Sequence, residues 1–227
     1  DIIIGTHRLL QKDVHIPFLG LLIIDEEQRF GVKHKQKLKS MRASVDILTM
    51  TATPIPRTLY FSIAGLKNLS TITTAPADRQ PVSTIVANFD RELIYKAIKK
   101  ELARGGQVYF LHNRVQSIED MQELLQKLLP DAKILVGHGQ MPAAALEKVM
   151  NDFVAGKADV LLCTTIIESG LDIPNVNTII IDHAERFGLS TLYQLRGRVG
   201  RYHRKAYAYL LVSPQGILPE NARERLS

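Results

Sequence analysis

The sequence predicts an α/β fold in which parallel sheets are covered by helices on both faces. Short apolar runs of strand length alternate with segments of helical period along the chain. Continuous runs such as Val160–Cys163 and Thr178–Ile181 are typical of strands that are buried on both faces. Because the connections between these elements are short, we expect helices to cross between neighbouring strands, which makes the sheets parallel.

The first part of the chain contains three predicted strands and two predicted helices. The strands are Ile2–Ile4, Leu19–Ile24 and Asp46–Met50. The helices are the strongly basic segment Lys33–Met41, which we expect to be exposed, and Pro56–Ala64, where a proline near the first turn is tolerated. The segment Thr73–Pro81 follows with two prolines and little periodicity, which is typical of a linker between domains.

The rest of the chain repeats this alternation with six predicted strands and four predicted helices. The strands are Val82–Val86, Val108–Leu111, Ile134–Val136, Val160–Cys163, Thr178–Ile181 and Ala206–Val212. The helices are Asp90–Leu102, Ser117–Leu129, Pro142–Val154 and Leu189–Leu195. Asp90 and Ser117 belong to the residue types that cap helix N-termini, and we expect both side chains to do so.

This organisation predicts two domains. We expect a first domain over residues 1–75, a linker over 76–82, a second domain over 83–212 and the start of a further helical segment over 213–227. Because the chain opens directly on a strand-like segment, we expect it to be a fragment of a longer protein. No apolar run approaches the ~20 residues of a membrane span, and the N-terminus lacks the pattern of a signal peptide.

The composition is that of a basic globular protein from a reducing compartment. Lys and Arg number 29 against 23 Asp and Glu, and the net charge of +6 favours a polyanionic partner such as nucleic acid. The single cysteine, Cys163, lies in an apolar run and excludes an internal disulfide or a cysteine-based metal site. His112, His138 and His183 lack metal-ligand spacing, so we predict no histidine metal site.

Carboxylates close the second predicted strand in the run Asp25-Glu26-Glu27-Gln28. In parallel α/β sheets the chemistry lies beyond the carboxyl ends of the strands. One or two carboxylates there suit Mg²⁺, which keeps most of its waters, and a second carboxylate can orient or deprotonate an attacking water. An ordinary acidic loop is the alternative interpretation.

Two other strand ends carry hydroxyl or basic side chains. Thr51 and Thr53 follow the third strand and can relay the state of a nucleotide, although threonines also commonly begin helices. Thr6, His7 and Arg8 follow the first strand and offer a phosphate-binding corner, although a simple capped helix explains them equally well.

The run Gln194–Arg201 holds three arginines and two glycines within six positions. Arginine binds phosphate bidentately, and glycine lets the backbone approach an anion closely. A solvated basic turn is the alternative interpretation. The sequence contains no G-x-x-x-x-G-K-[ST] run, so it offers candidate arginine fingers and a candidate magnesium site without a phosphate-cradling loop.

Five co-linear motifs give the whole chain a resemblance to superfamily 2 helicases and translocases of the RecG-like group. They read DEEQRFGVKHK, TATPIPRTL, VGHGQM, CTTIIESGLDIPNVNTIII and GLSTLYQLRGRVGR. The resemblance implies two RecA-like parallel-sheet domains of the P-loop NTPase type, which bind ATP in the cleft between them. It also implies that the first of these domains is incomplete in this sequence.

The resemblance implies a role for each motif residue. Asp25 would hold Mg²⁺ through water, and Glu26 would act as the base for the hydrolytic water. Other positions that match contacts to ATP are Gln28, Gly170, Asp172, Gln194, Arg198 and Arg201, with the two arginines as arginine fingers. Thr51 and Thr53 match the motif that couples nucleotide to nucleic acid. Positions that match contacts to the DNA backbone are Thr6, His7, Arg8, Asn113, Arg114, Thr164 and Thr165.

Three functions remain open from the sequence. The resemblance implies a bacterial, cytoplasmic, ATP-dependent double-stranded DNA translocase that acts on stalled RNA polymerase and engages nucleotide-excision-repair proteins through regions outside this chain. A branch-migration helicase with the same motor is the first alternative, and a non-catalytic nucleic-acid-binding α/β module is the second. Because the phosphate-cradling loop is absent from the sequence, we expect the isolated chain to hydrolyse no ATP.

Overall fold

The computed structural model divides the chain into two compact units, Asp1–Ile72 and Thr73–Ser227. It describes residues 1–11, 13–26, 30–31, 34, 36–38, 44–51, 70–72, 74, 80–166, 173–200 and 204–213. The predicted helix Pro56–Ala64 and nearly all of the predicted segment 213–227 lie outside the described residues. The predicted domain boundaries stay predictions.

The described part of the first unit centres on two parallel strands. They are β1 (Leu21–Asp25) and β2 (Asp46–Met50), and Leu21 is in register with Asp46. A 3-10 helix, His7–Leu10, precedes them. Leu10, Ile24 and Leu38 form the small buried cluster of this unit. Two of the three strands predicted here are therefore confirmed.

The first predicted strand, Ile2–Ile4, is wrong. These residues have no strand conformation, and Ile2 and Ile4 are 90% and 92% exposed. Three consecutive β-branched residues satisfy the propensity of a strand, but a strand also needs a neighbour that accepts its backbone hydrogen bonds. The basic segment Lys33–Met41 is helical at its described residues, but Leu38 is 2% exposed, so this helix is not exposed throughout.

The second unit contains a six-stranded parallel sheet within its described residues. The strands are β3 (Ser83–Asn88), β4 (Gln107–Leu111), β5 (Ile134–Gly137), β6 (Val160–Cys163), β7 (Val176–Ile181) and β8 (Tyr207–Val212). They lie in the order β3-β8-β7-β4-β6-β5, with every neighbouring pair parallel. All six predicted strands of this part of the chain are thus confirmed.

Helices cover both faces of this sheet, as predicted. The helices are α1 (Arg91–Ala103), α2 (Ile118–Leu128), α3 (Ala143–Val154) and α4 (Leu189–Arg196). On one face, α1 and α2 pack against alternate strand residues such as Phe110. On the other face, α3 and α4 pack against the intervening residues, such as Tyr109. Because side chains alternate along a strand, the central strand β4 is buried throughout and its sequence is continuously apolar beyond Gln107.

One of the two predicted helix caps is confirmed and the other is wrong. The Asp90 carboxylate accepts the Glu92 N–H at 2.8 Å and caps α1. Ser117 occupies the N-cap position of α2, but its side chain makes no capping hydrogen bond. Its hydroxyl instead lies 2.8 Å from Nε2 of His112. Ser117 also ends the short 3-10 helix Val115–Ser117, which runs directly into α2, so its hydroxyl bonds to the ring five residues earlier and not to a backbone N–H.

A buried carboxylate lies where α1 packs against the sheet. Glu101 is 1% exposed, and its Oε2 accepts hydrogen bonds from the Arg104 guanidinium and the Thr178 hydroxyl. A Cβ added to Gly106 would lie 1.8 Å from Oε1 of the same carboxylate. The absence of a side chain at position 106 is therefore what leaves room for Glu101.

Gly106→Ala is expected to lower the free energy of unfolding by about 1–3 kcal/mol, the range of overpacking substitutions. The reason is that the added methyl displaces a carboxylate that has no other buried place. Urea unfolding of the chain measures the effect. Gly139→Ala is the control, because a Cβ there meets nothing within 4 Å. Equal stability losses in the two variants would contradict the role assigned to Gly106.

Candidate motor site

The acidic motif of the first unit lies at the carboxyl edge of its two-stranded sheet. Asp25 is the last residue of β1 and is in register with Met50, the last residue of β2. The Glu26 N–H donates to the Met50 carbonyl at 2.9 Å, so the chain after β1 stays beside the chain after β2. The structure therefore brings Asp25, Glu26 and Thr51 to one edge, while Gln28 and Thr53 lie outside the described residues.

Glu26 has a left-handed backbone, with φ of +55°. This conformation is costly for a residue with a side chain, by about 1–3 kcal/mol, and such residues cluster at functional sites. Glu26 therefore departs from strand conformation immediately after Asp25, although its N–H still bonds to the end of β2.

The basic corner of the first unit is a capped helix whose arginine already has an anionic partner. The Thr6 hydroxyl accepts the Arg8 N–H at 3.3 Å and caps the helix His7–Leu10. The Arg8 guanidinium binds Asp13 in a fork, with one N–O distance of 2.7 Å. This guanidinium holds the pKa of the exposed Asp13 carboxyl below its ordinary value. A phosphate that uses Arg8 must therefore compete with Asp13.

The residues predicted to face nucleic acid in the second unit follow two adjacent strands. Asn113 and Arg114 follow β4 and are exposed. Thr164 and Thr165 follow β6, where Thr164 is 7% exposed and its N–H donates to the Gly137 carbonyl at 3.2 Å. Because β4 and β6 are neighbours, all four residues lie at the same carboxyl edge. The burial of Thr164 leaves Asn113, Arg114 and Thr165 as the more accessible members.

The structure has a hydrogen-bonded chain of side chains at this edge that the sequence did not predict. Nδ1 of His112 lies 2.7 Å from Oδ2 of Asp182, and Nε2 lies 2.8 Å from Oγ of Ser117. His112 and Asp182 are 5% and 3% exposed. Each of these two residues directly follows a buried strand, and that position was the only indication of a functional role that the sequence contained. The sheet order that makes β4 and β7 neighbours was needed to pair them.

The glutamine and the arginine of the last motif lie on and just after α4. Gln194 is within the helix and Arg198 follows it, and both are half-buried. Val199 is 0% exposed and anchors the segment in the core. Gly200 has φ of +74°, and a Cβ there would lie 2.8 Å from the Cβ of Ala206. Packing and backbone geometry thus account for this glycine without an anion, whereas Gly170, Asp172 and Arg201 lie outside the described residues.

The candidate site has oxygen ligands that fit magnesium better than a transition metal. Within the described ranges, no cluster of three or more His, Cys, Asp or Glu side chains could hold a metal ion. The exposed Asp25 beside Glu26 fits Mg²⁺, which needs only one or two carboxylates besides water and phosphate.

Cys163 is fully buried, and burial raises the pKa of its thiol, as expected for a core residue. No helix in the described part of the chain is sufficiently long and apolar to cross a membrane.

Comparison with known proteins gives matches along the whole chain. Residues 91–203 match the helicase conserved C-terminal domain. The transcription-repair-coupling factors of Bacillus subtilis (strain 168) and Escherichia coli (strain K12) are 58% and 55% identical to it over 226 residues. These matches cover 100% of this chain but only 19% and 20% of the two relatives, so the chain spans about a fifth of their length.

Solved helicase structures share the fold. The structure of RecG bound to a three-way DNA junction is 40% identical, with a TM-score of 0.72 over 98% of this chain and 29% of that chain. Dbp5 L327V of S. cerevisiae, bound to RNA and ADP BeF3, is 17% identical, with a TM-score of 0.66 over 96% of this chain and 59% of that chain. The parallel sheets are therefore RecA-like, as the resemblance implied. The chain belongs to the transcription-repair-coupling factor group of the superfamily 2 helicases.

Proposed function

We propose that this chain is part of the motor of an ATP-dependent double-stranded DNA translocase that acts on stalled RNA polymerase in transcription-coupled repair. The observation that carries the proposal is the identity of 54–58% to transcription-repair-coupling factors along the whole chain. The polymerase and nucleotide-excision-repair proteins bind regions of the full-length protein outside this chain. The motor works in the bacterial cytoplasm.

The proposed chemistry is hydrolysis of ATP with Mg²⁺. Asp25 would hold Mg²⁺ through water, and the bound ion would supply positive charge to the phosphates. Glu26 orients and deprotonates the attacking water, and its fixed left-handed backbone holds the carboxylate beside Asp25 at the sheet edge. Arg198 and Arg201 neutralise the charge that develops on the transferred phosphoryl group. The remaining nucleotide contacts are Gln28, Gly170, Asp172 and Gln194.

The proposed nucleic-acid contacts are to phosphates and not to bases. The net charge of +6 supports a polyanionic partner. In the second unit, Asn113, Arg114, Thr164 and Thr165 share one sheet edge and supply amide, guanidinium and hydroxyl donors. Thr6, His7 and Arg8 supply a comparable set in the first unit. Thr51 and Thr53 transmit the state of the nucleotide to the DNA-binding residues.

The test uses the full-length protein that carries this chain. Linear duplex DNA is expected to stimulate its ATP turnover, and the protein is expected to displace RNA polymerase stalled by nucleotide omission. A synthetic three-way junction is the comparison substrate, because RecG, at 40% identity, was solved on one. Displacement of polymerase without branch migration supports the proposed function. Branch migration without displacement of polymerase would favour the RecG-like alternative and contradict the proposal.

The isolated 227 residues are expected to show no DNA-stimulated ATPase activity. Their sequence contains no G-x-x-x-x-G-K-[ST] loop, so nothing in it can cradle the β- and γ-phosphates. Binding of duplex DNA by the isolated chain is still expected, because the exposed basic residues remain. Release of phosphate from ATP, measured with and without duplex, checks this. Turnover that Glu26→Gln abolishes would show that the phosphate-cradling loop is dispensable.

A further inference from the structure

We infer that His112 is a positioning residue that connects the loop proposed to contact DNA with the segment that leads into the proposed arginine-finger helix. The inference rests on the proposed motor function and assigns a coupling role to residues that make no contact with ATP or DNA. It is carried by the hydrogen-bonded chain of Ser117, His112 and Asp182, in which His112 and Asp182 are buried and Ser117 is half-buried.

The three side chains join three separate segments. His112 directly follows β4, Asp182 directly follows β7, and Ser117 directly precedes α2. A carboxylate only accepts hydrogen bonds, so Nδ1–H of His112 donates to Asp182, and in the neutral imidazole Nε2 then accepts the Ser117 hydroxyl proton. The Asp182 N–H also donates to the Leu111 carbonyl at 2.9 Å, which ties the two strand ends at the backbone.

The DNA-side connection is short, because His112 and Ser117 are five residues apart. Asn113 and Arg114 lie between His112 and Ser117, so both ends of their loop are fixed by one imidazole ring. The Arg114 N–H donates to the His112 carbonyl at 2.9 Å and tightens the same loop. Ser117 ends the short 3-10 helix Val115–Ser117, which runs directly into α2, and its hydroxyl makes no capping bond. The hydroxyl is therefore available to hold this end of the loop against the His112 ring.

The connection continues on the other side of Asp182. His183 has a left-handed backbone, with φ of +52°, and its Nδ1 lies 3.1 Å from Oε1 of Glu185. Its Nε2 is 3.9 Å from Oδ2 of Asp182. The short 3-10 helix Ala184–Arg186 follows and leads into α4, which carries Gln194 and precedes Arg198. A strained backbone persists only where its surroundings fix it. For His183, the surrounding groups are the carboxylates of Asp182 and Glu185.

The arrangement predicts that loosening the imidazole weakens the response to DNA more than it weakens ATP turnover itself. In the intact chain, a displacement of the Asn113–Arg114 loop is transmitted to the end of β7 through the half-buried bond of Ser117 to His112 and the buried bond of His112 to Asp182. The buried bond is strong because it lies in an environment of low dielectric. Coupling between two sites of this kind typically changes an affinity by about 5–150-fold.

The experiment measures ATP turnover of the full-length protein against the concentration of linear duplex. Ser117→Ala removes one end of the connection. His112→Asn places its amide nitrogen near the position of Nδ1 and so keeps the bond to Asp182 while releasing Ser117. Each variant is expected to raise the duplex concentration for half-maximal stimulation about tenfold. Turnover without DNA is expected to stay within about twofold, because neither residue contacts the nucleotide.

A double variant and a neighbouring control complete the design. Because both substitutions break the same connection, the double variant is expected to be no worse than the more affected single variant. Gln116→Ala, exposed in the same turn, is expected to behave as the wild type. Wild-type stimulation curves for Ser117→Ala and His112→Asn, or effects that multiply in the double variant, would overturn the inference. If His112→Asn does not fold, Ser117→Ala alone decides. A wild type that DNA does not stimulate would instead overturn the proposed function, and this inference with it.

Discussion

Replacing Arg198 by alanine in the full-length protein is expected to lower DNA-stimulated ATP turnover at least ~10³-fold. Arginine fingers in phosphoryl transfer contribute about 10³–10⁵ in rate, because a fixed guanidinium meets charge that develops only in the transition state. Arg198 is suited to this role because its position is fixed from both sides. It follows the end of α4 and precedes Val199, which is fully buried, and Gly200, which packs against Ala206. Nucleotide binding should be mostly retained.

Two further variants separate this role from a general loss of positive charge. Arg196→Ala removes a cation from the same segment, one whose guanidinium lies 4.6 Å from the centre of the Tyr193 ring. We expect turnover of this control within about twofold of the wild type, since an exposed cation–π pair contributes little. Arg198→Lys should recover only a small part of the activity, because an ammonium cannot replace the planar fork. Unchanged turnover in Arg198→Ala would mean that the Gln194–Arg201 run binds DNA or serves the fold.

Glu26→Gln in the full-length protein is expected to lower ATP turnover by about 10²–10⁴-fold, the usual contribution of a general base. Glutamine has nearly the same size as glutamate and cannot take a proton from water. The loss should appear in the maximal rate and not in the affinity for ATP, because proton transfer occurs only in the chemical step. Single-turnover hydrolysis and equilibrium binding of a fluorescent ATP analogue measure these two quantities separately.

The backbone at Glu26 supplies a control for this second substitution. Gln and Glu tolerate φ of +55° equally poorly, so the stability of Glu26→Gln should match the wild type. Glu92→Gln is the matched substitution at an exposed glutamate that pairs with Lys96 in α1, and its turnover should be unchanged. A turnover of Glu26→Gln within tenfold of the wild type would remove Glu26 from the role of base.

The pattern of strands and helices could be predicted wherever burial dictates the sequence. Val160–Cys163 is predicted and observed with the same bounds, because a strand covered on both faces must be apolar at every position. Ile2–Ile4 has the same kind of composition, but in the described residues it is exposed coil. The difference lies in the partner strand, which is a property of the whole sheet and not of the segment itself.

The candidate site shows the same limit at the level of side chains. Motif order placed Asp25, Asn113 and Arg198 at strand and helix ends, where the structure has them. The pair of His112 and Asp182 could not be found in this way, because the two residues are far apart in the sequence and meet only through the sheet order. Ser117 was predicted as a cap because serine favours that position, but it ends a 3-10 helix that runs into α2, and its hydroxyl meets the His112 ring five residues earlier.

The pairing of β3 with β8 has a consequence for how the protein is made. Among the described residues of the second unit these are the first and last strands along the chain, and backbone bonds from Ser83 to Ala206 and from Phe89 to Val212 secure each end of the pair. On the ribosome, β3 emerges early and then waits without its partner until the remainder of the unit has been synthesised. Contacts between such distant segments form slowly, and the exposed edge of a waiting strand is open to chaperones and proteases. The last of the described strands is thus the one that completes this sheet, and an interruption of synthesis before Tyr207 leaves β3 without the partner strand that it has in the folded unit.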